Sequence, residues 1–214
     1  MSEAPVVLQR RLEPEDQARA DFYALLARLF ADAPDAALLA GIGEAASLSP
    51  AASTDRANDV AAHLAAAWDG LRAASAAMDA EAASAEYQAL FIGVGRSEVS
   101  LYASHYLGPQ SGRPLADIRT ALAEMGLARR PDSSEFEDHL AVLLETMRML
   151  VAGDAERLPA EIPRQRAFFQ SHLAPWAFDC CTAIEQSPVA NYYRRVAQFA
   201  SCFLALERDS LAMD

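Results

Sequence analysis

The sequence is poor in cysteine, and the few cysteines it has exclude several kinds of site. Among its 214 residues are three cysteines, Cys180, Cys181 and Cys202, and no CxxC pair. An odd number of cysteines in a chain of this size does not make a disulfide framework, so we expect reduced, buried thiols in a reducing compartment. The missing CxxC pair gives no support to a cysteine-based zinc site or a thioredoxin-like motif.

Long apolar runs and an excess of positive charge are also absent. No apolar run reaches the roughly 20 residues of a transmembrane helix, so we expect no stable membrane insertion. Lys and Arg number 18 against 30 Asp and Glu, which gives a net charge of −12. Nucleic acid is therefore not an expected partner, because phosphate binding requires a basic surface. A basic peptide or protein segment suits this field better, although acidity can also serve solubility alone.

The N-terminal segment contains a pair of arginines but not the rest of an export signal. Arg10 and Arg11 are followed by residues 12–16, LEPED, where a twin-arginine signal would begin its apolar region. Such a signal requires that apolar region. The sequence therefore predicts a cytoplasmic protein.

The composition and the spacing of apolar residues favour helices. Alanine is abundant, glycine numbers only 9, and 52% of the residues are hydrophobic, which is typical of a globular, helix-rich chain. Apolar residues recur at the helical period of 3.6, and we find no convincing strand pattern and no internal repeat. We predict an all-α fold, one domain over residues 1–214, as a bundle of roughly nine helices. The clearest stripes are Phe22, Leu25, Leu26, Leu29 and Phe30; Val60, Leu64, Trp68 and Leu71; and Phe136, Leu140, Leu143, Met147 and Leu150.

Several residues predict where helices begin and end. Residues 53–55, STD, are expected to cap the second of these stripes, and Gly93 and Gly95 to stop the helix that residues 86–91 close. A further helix is predicted from about Leu115 to Met125, with Gly126 just beyond it. The third stripe is predicted to begin near Ser133 and Ser134 and to end at Gly153, while prolines divide the last third into three more helices.

A search for catalytic motifs finds none. The sequence has no GxSxG elbow, P-loop, HExxH or strand-linked GxGxxG, and these motifs carry the common nucleophilic, phosphate-binding and metal chemistries. The four histidines, His63, His105, His139 and His172, form no i, i+4 pair of ligands. We therefore predict no catalytic residues, no metal and no cofactor.

Three segments in order resemble the TorD/DmsD family of redox-enzyme maturation chaperones. Residues 86–95, EYQALFIGVG, resemble its E-Y-x-x-L-F-x-G-x-G stretch, and residues 102–106, YASHY, resemble its aromatic-x-S-x-Y segment. Residues 135–140, EFEDHL, are similar to E-P-x-D-H-[IL], with Phe136 in place of the proline. Prolines that the family often has just before the aromatic residue are also missing at positions 99–101. With weaker matches further on, the likeness covers residues 86–206.

The resemblance implies a helical chaperone for a molybdenum-cofactor oxidoreductase. Members of the family bind the twin-arginine signal peptide or the apoenzyme and hold the precursor until its cofactor is inserted. The resemblance implies peptide-binding roles for six residues: Tyr102, Ser104, Tyr106, Glu135, Asp138 and His139. Ordinary structural roles are open for the same residues, namely a shared packed face for the two tyrosines, helix-dipole contacts for the acids and packing for His139. A monomer and a domain-swapped homodimer are both open.

The energetics of peptide binding predict the character of the site. An exposed arginine–carboxylate pair contributes about 0–1 kcal/mol, whereas burying one Leu-sized side chain contributes about 1.5–3 kcal/mol. Apolar contacts must therefore supply most of the affinity, and acidic residues selection and steering. We predict an apolar groove with an acidic rim. Two alternatives are a helical adaptor for another basic protein segment and a helical nucleotide hydrolase.

Overall fold

Helices make up the fold throughout the described part of the chain. The computed structural model describes residues 12–48, 56–93, 97–108, 113–127 and 135–213. These residues form ten α-helices and no strand beyond one isolated bridge, which confirms the all-α prediction with one helix more than the nine or so expected. The helices are α1 Pro14–Ala31, α2 Ala36–Glu44, α3 Arg56–Ala77, α4 Ala80–Tyr87, α5 Ala103–Tyr106, α6 Pro114–Glu124, α7 Leu140–Ala152, α8 Ile162–Phe168, α9 Ala177–Gln186 and α10 Tyr192–Met213. Two π-helical turns, Gln88–Ile92 and Phe169–Leu173, extend α4 and α8.

An aromatic cluster joins α1, α3 and α10. The ring of Phe22 in α1 lies 5.6 Å from Trp68 of α3 and 5.1 Å from Phe199 of α10, measured between ring centroids. Tyr23 meets Phe203 edge-on at 4.8 Å. Such pairs contribute about 0.5–1.5 kcal/mol each beyond the burial of area. The stripe predicted on α1 therefore faces the core, and Trp68 is buried as expected.

A buried ion pair fastens α1 to α10. Arg19 donates to both carboxylate oxygens of Glu207, at 2.8 and 3.0 Å, and the Tyr23 hydroxyl donates to the same carboxylate at 2.9 Å. Burial alone would lower the pKa of Arg19, but its hydrogen bond to Glu207 and the charge of that carboxylate together raise it above the usual value. Arg19 also donates to Gln165 of α8. The network thus ties three helices together.

The first family motif has a structural role. The Glu86 carboxylate accepts the backbone N–H groups of residues 191, 192 and 193, at 2.8, 3.0 and 2.8 Å. These groups begin α10, where unpaired N–H groups favour an anion. Tyr87 donates to the carbonyls of Phe30 and Ala31, and burial raises its pKa to about 12. Gly93 ends the π-helical turn with φ of 52°, as predicted; Gly95 lies outside the described residues.

The predicted helix ends are confirmed at Gly126 and Gly153 and wrong at the start of α7. Both glycines have a positive φ just after a helix, 67° and 72°. α7 begins at Leu140, and residues 135–139 are not helical. His139 is extended, with φ −72° and ψ 138°, because it bridges to another segment. Phe136 therefore lies outside the buried stripe of α7 and is 50% exposed. Ser133, Ser134 and the cap predicted at residues 53–55 lie outside the described residues.

The cysteines agree with the prediction of buried thiols. Cys180 and Cys181 are fully buried on α9, and Cys202 is half-buried on α10. Burial raises the pKa of the Cys180 thiol to about 12, which makes this group unreactive at neutral pH.

Among the described helices, none has both the length and the apolarity to cross a membrane.

Candidate functional site

Two of the family-like segments meet at one place, which we call the junction: residues 99–106 and 135–140. Tyr102 and His139 form an isolated antiparallel bridge. The Ala103 N–H donates to the Asp138 carbonyl at 3.0 Å, and the Leu140 N–H donates to the Leu101 carbonyl at 2.8 Å. Residues 99, 101 and 103 are buried in alternation, as in a strand. Tyr102 therefore faces outward at the junction, and Ser104, in the first turn of α5, is exposed.

A tyrosine, a glutamate and a histidine cluster at the outer side of the junction. The Tyr102 hydroxyl donates to the Glu135 carboxylate, and the Tyr102 ring meets the His139 ring edge-on at 4.8 Å. The His139 Nε2 lies 3.8 Å from the Glu135 Oε2. Burial and the hydrogen bond to Glu135 raise the pKa of Tyr102, and burial lowers that of His139. The cluster thus pairs a carboxylate with two neutral rings.

Asp138 and His139 are almost fully enclosed, with 2% and 3% of their surfaces exposed. The Asp138 carboxylate accepts the Ser104 N–H at 3.1 Å and so caps the short helix α5. His139 is the N-cap of α7, where its Nδ1 accepts the Ala141 N–H at 3.2 Å. A nitrogen that accepts this bond carries no proton, which agrees with the lowered pKa. Both side chains therefore shape the junction, whatever else they contact.

The two tyrosines of the second segment do not share a helical face. Tyr102 is the N-cap of α5, whereas Tyr106 is its last residue. The Tyr106 ring stacks on Trp176 at 5.6 Å, and its hydroxyl donates to the Ser100 carbonyl at 2.8 Å. Tyr106 thus fixes the inner wall of the junction, whereas Tyr102 lies at its surface with Ser104, which is exposed.

An open depression, which we call the hollow, lies over the junction. Its volume is about 510 Å³, and its floor and rim include three of the six predicted residues, Tyr102, Ser104 and Asp138. Phe136 and Leu115 add apolar surface to it. An exposed phenylalanine beside polar groups is a common form of binding anchor. The helical spacing of apolar residues predicted that Phe136 would lie on the buried face of a helix. The sequence therefore did not identify it as an exposed residue of the hollow.

A second depression, which we call the groove, lies between α1, α6 and α7. It has a volume of about 520 Å³ and a largely apolar lining. The apolar residues are Ala24, Ala27 and Ala31 from α1, Leu122 from α6, Leu127 beyond it, and Ala141, Val142 and Met149 from α7. Glu135, Glu137 and Glu145 line it as well, together with Arg28 and Thr146. This is the combination of apolar surface and carboxylates that the sequence predicted, but of these residues only Glu135 was predicted for the site.

One hydrogen bond links the groove to the hollow. Glu135 lines the groove, and it accepts the hydroxyl of Tyr102, which lines the hollow. The two depressions therefore lie on either side of this pair. Within the described residues, no group of three or more His, Cys, Asp or Glu side chains could hold a metal ion.

The architecture first defines a class: within the described residues, this is an all-helical protein with two depressions beside the junction. The comparisons with known proteins then define the family. Residues 57–182, more than half of the chain, match the family model described as the nitrate reductase delta subunit. The chain therefore belongs to the nitrate reductase delta subunit family.

Two relatives carry the name chaperone protein TorD. The one from Photobacterium profundum is 33% identical over 101 residues, which cover 43% of this chain and 46% of that protein. The one from Vibrio cholerae is 25% identical over 134 residues, which cover 59% and 61%. The matches thus span roughly half the length of these relatives. The predicted resemblance to the TorD/DmsD family is confirmed, and the names of both relatives agree with the prediction of a non-catalytic protein.

Proposed function

We propose that this protein is a cytoplasmic chaperone for a molybdenum-cofactor oxidoreductase. It binds the precursor through a twin-arginine signal peptide, or the apoenzyme itself, and holds it until the cofactor is inserted. Family membership and the two relatives named as chaperones support this function. The observation that carries it is the junction, where the six residues implied by the family motifs lie on two segments joined by a bridge.

In this function the exposed members of the junction contact the peptide and the buried members hold them in place. Tyr102, Ser104 and Glu135 face the peptide, and Phe136 provides an apolar anchor. Asp138, His139 and Tyr106 complete the site through the hydrogen bonds and ring contacts that fix its walls. A guanidinium of the signal peptide binds Glu135, whose side chain is 31% exposed.

The binding free energies indicate that apolar contacts supply most of the affinity and that charged contacts select the peptide. A micromolar complex requires about −8 kcal/mol net, and ordering a flexible peptide opposes binding by several kcal/mol. An exposed ion pair contributes about 0–1 kcal/mol, so several buried apolar side chains are needed. In this function residues 1–214 form one domain, which acts as a monomer or as a domain-swapped homodimer.

The function is tested by titrating a synthetic peptide with two consecutive arginines and an apolar stretch into the purified protein. We expect binding in the micromolar range, and a loss of about tenfold for Phe136→Ala. The matched control is Leu158→Ala, since Leu158 is also an exposed apolar residue, at 81%, and lines neither depression.

Peptides with lysine or glutamine in place of the arginines separate this function from that of a general adaptor. We expect the lysine peptide to bind more weakly, because arginine presents a planar fork to a carboxylate and lysine does not. Equal affinity for the arginine and lysine peptides would favour an adaptor for basic segments. No measurable binding of the arginine peptide would contradict recognition of a twin-arginine signal.

A further inference from the structure

We propose that residues 1–11, MSEAPVVLQRR, bind to the rest of the same chain in a cleft beside the start of α1. We call this segment the strap. The cleft lies between the start of α1, the end of α7 and the start of α8, and its volume is about 510 Å³. Among the described residues, none that lines the cleft also lines the hollow or the groove. The cleft is therefore separate from the proposed client site, and the strap gives a role to Arg10 and Arg11, which that site does not use.

The apolar walls of the cleft suit the middle of the strap. They are formed by six residues: Leu12, Val151, Pro159, Ala160, Ile162 and Pro163. Leu12, Ala160 and Ile162 are only half-buried, so apolar surface remains for another segment to cover. Residues 5–8 of the strap, PVVL, are apolar. Contact between these two surfaces removes both from water, which favours binding.

The cleft has an excess of negative charge. Its carboxylates come from Glu13, Asp16 and Glu161, and no arginine or lysine is among the described residues that line it. Asp16 already pairs with Arg19 at 2.8 Å. Glu13 and Glu161 are exposed, and neither side chain caps the helix that follows it. The two consecutive arginines of the strap therefore complement two carboxylates of the cleft.

The helix ends beside the cleft do not reverse this charge preference. The N-terminus of a helix favours an anion, and Glu15 and Asp16 in the first turn of α1 already provide negative charge there. The helix α8 has only seven residues, and Glu161 stands directly before it. The cleft therefore favours a cation over an anion.

Covalent attachment favours the strap over any segment from outside. Leu12 lines the cleft and directly follows the strap. An extended chain spans at most about 3.6 Å per residue, so Leu8 lies within roughly 15 Å of Leu12. A short tether gives an effective concentration of roughly 1 mM, at which a contact with an intrinsic dissociation constant of about 100 μM is occupied about nine-tenths of the time. A segment from another molecule would have to reach the same concentration in solution.

A strap in the cleft closes it to other segments of similar chemistry. A twin-arginine signal has its arginines before its apolar stretch, whereas the strap has its apolar residues before its arginines. Both combine two cations with an apolar surface. Occupation of the cleft by the strap therefore leaves the junction as the place where a client segment of this chemistry binds.

Photo-crosslinking within the full-length protein tests the contact. p-Benzoylphenylalanine replaces Leu8, and the purified protein is irradiated at about 1 μM, where contacts within one chain outcompete contacts between chains. We expect mass spectrometry to find adducts within one chain at residues that line the cleft. Three results would each overturn the placement: adducts mainly in the hollow or the groove, crosslinked dimers, and no adduct to the described residues.

Charge substitutions in the same labelled protein give a second readout. Arg10→Glu with Arg11→Glu should lower the yield of cleft adducts by about fivefold, and the further changes Glu13→Arg and Glu161→Arg should restore most of it. The matched control is Glu156→Arg, at an exposed position between α7 and α8 that does not line the cleft. It should leave the yield unchanged.

The arginine substitutions change no residue of the described fold, so a lower yield in that variant reports the contact itself. Thermal melting shows whether the variant with Glu13→Arg and Glu161→Arg is folded, and the arginine variant alone decides if it is not. A yield equal to that of the unsubstituted labelled protein in the arginine variant would overturn recognition of the strap by charge.

Discussion

Two tyrosine–glutamate pairs in this protein have the same chemistry and opposite surroundings. In the core, Tyr23 donates to Glu207 at 2.9 Å, and the two residues are 0% and 1% exposed. At the junction, Tyr102 donates to Glu135, and both residues are only half-buried. Arg19 holds the Glu207 carboxylate with two hydrogen bonds, whereas Glu135 keeps 31% of its side chain exposed. The comparison teaches that burial and an internal cation assign the first carboxylate to structure, whereas the second lies at a surface that the proposed peptide can reach.

The largest expected effect comes from breaking the core pair. Glu207→Ala removes the main partner of the Arg19 guanidinium, which keeps Asp16 and Gln165. Stability should therefore fall by up to the roughly 3–5 kcal/mol that breaking a fully buried ion pair costs. Chemical denaturation measures this change. Asp209→Ala is the control, because Asp209 pairs with Arg208 on the surface of the same helix, where a pair contributes about 0–1 kcal/mol. Similar losses for the two variants would contradict the structural role of the core pair.

For a third carboxylate, Glu86, the expected loss of stability lies between those of the core pair and the surface pair. It accepts three backbone N–H groups at the start of α10, so Glu86→Ala should lower the free energy of unfolding by about 1–3 kcal/mol. Glu81→Ala, at an exposed position of the same helix α4, should change it by less than about 1 kcal/mol. Peptide affinity should be unchanged in both. A stability loss as small as that of the control would refute the capping role of the first family motif.

Removing one hydroxyl from each pair sharpens the comparison. Tyr23→Phe leaves a buried carboxylate with one donor fewer and should lower stability by about 1–3 kcal/mol without changing peptide affinity. Tyr102→Phe should lower stability by less than about 1 kcal/mol, since water can replace the lost donor at this exposed site. Its peptide affinity should change, because the Tyr102 hydroxyl belongs to the proposed peptide site. If peptide affinity responded to Tyr23→Phe and not to Tyr102→Phe, the assignment of the two pairs would be reversed.

The smallest expected effect is a change in pH dependence. Burial lowers the pKa of His139 below its unfolded value near 6.5, with Glu135 and Asp138 opposing that shift. The neutral ring therefore contributes stability that is present above about pH 6.5 and is lost as pH falls through the lowered pKa. His139→Asn keeps a capping side chain and removes the titration. Its stability should fall less steeply below pH 6.5, by at most about 1.4 kcal/mol per pH unit for one proton.

This pH effect is measured by denaturation between about pH 7 and pH 5. His172→Asn is the matched comparison, because burial lowers the pKa of His172 too while its side chain lies away from the junction. Only the variant at position 139 should alter the pH dependence of peptide binding. The same pH slope for wild type and His139→Asn would mean that His139 is not held neutral by the fold.

The fold was largely predictable, because helices and their ends depend mainly on residues that are close together in the sequence. The apolar stripes of α1 and α3 face the core, and Gly126 and Gly153 end their helices with positive φ. The start of α7 was not predictable from spacing. Phe136 lies four residues before Leu140 and therefore fits the helical spacing of the apolar stripe. A contact with a distant segment, the bridge between Tyr102 and His139, interrupts the helix there.

The site was predictable only in part, and for a different reason. Tyr102 and Glu135 are 33 residues apart, and no periodicity brings them together; the family resemblance alone placed them in one group. The groove escaped the sequence because its walls come from three helices that are distant along the chain. Its alanines on α1 read simply as good helix formers. Residues such as Val142 and Met149 were indistinguishable from core residues until the neighbouring helices were in place.

The central claim is that Glu135 binds the cation of a client segment, and one titration tests it most directly. Glu135→Gln keeps an oxygen that accepts the Tyr102 hydroxyl and removes the negative charge. Calorimetric titration of the twin-arginine peptide should show an affinity about three- to tenfold lower than that of the wild type, with the free energy of unfolding changed by less than about 1 kcal/mol. An unchanged affinity in the folded variant would contradict the claim.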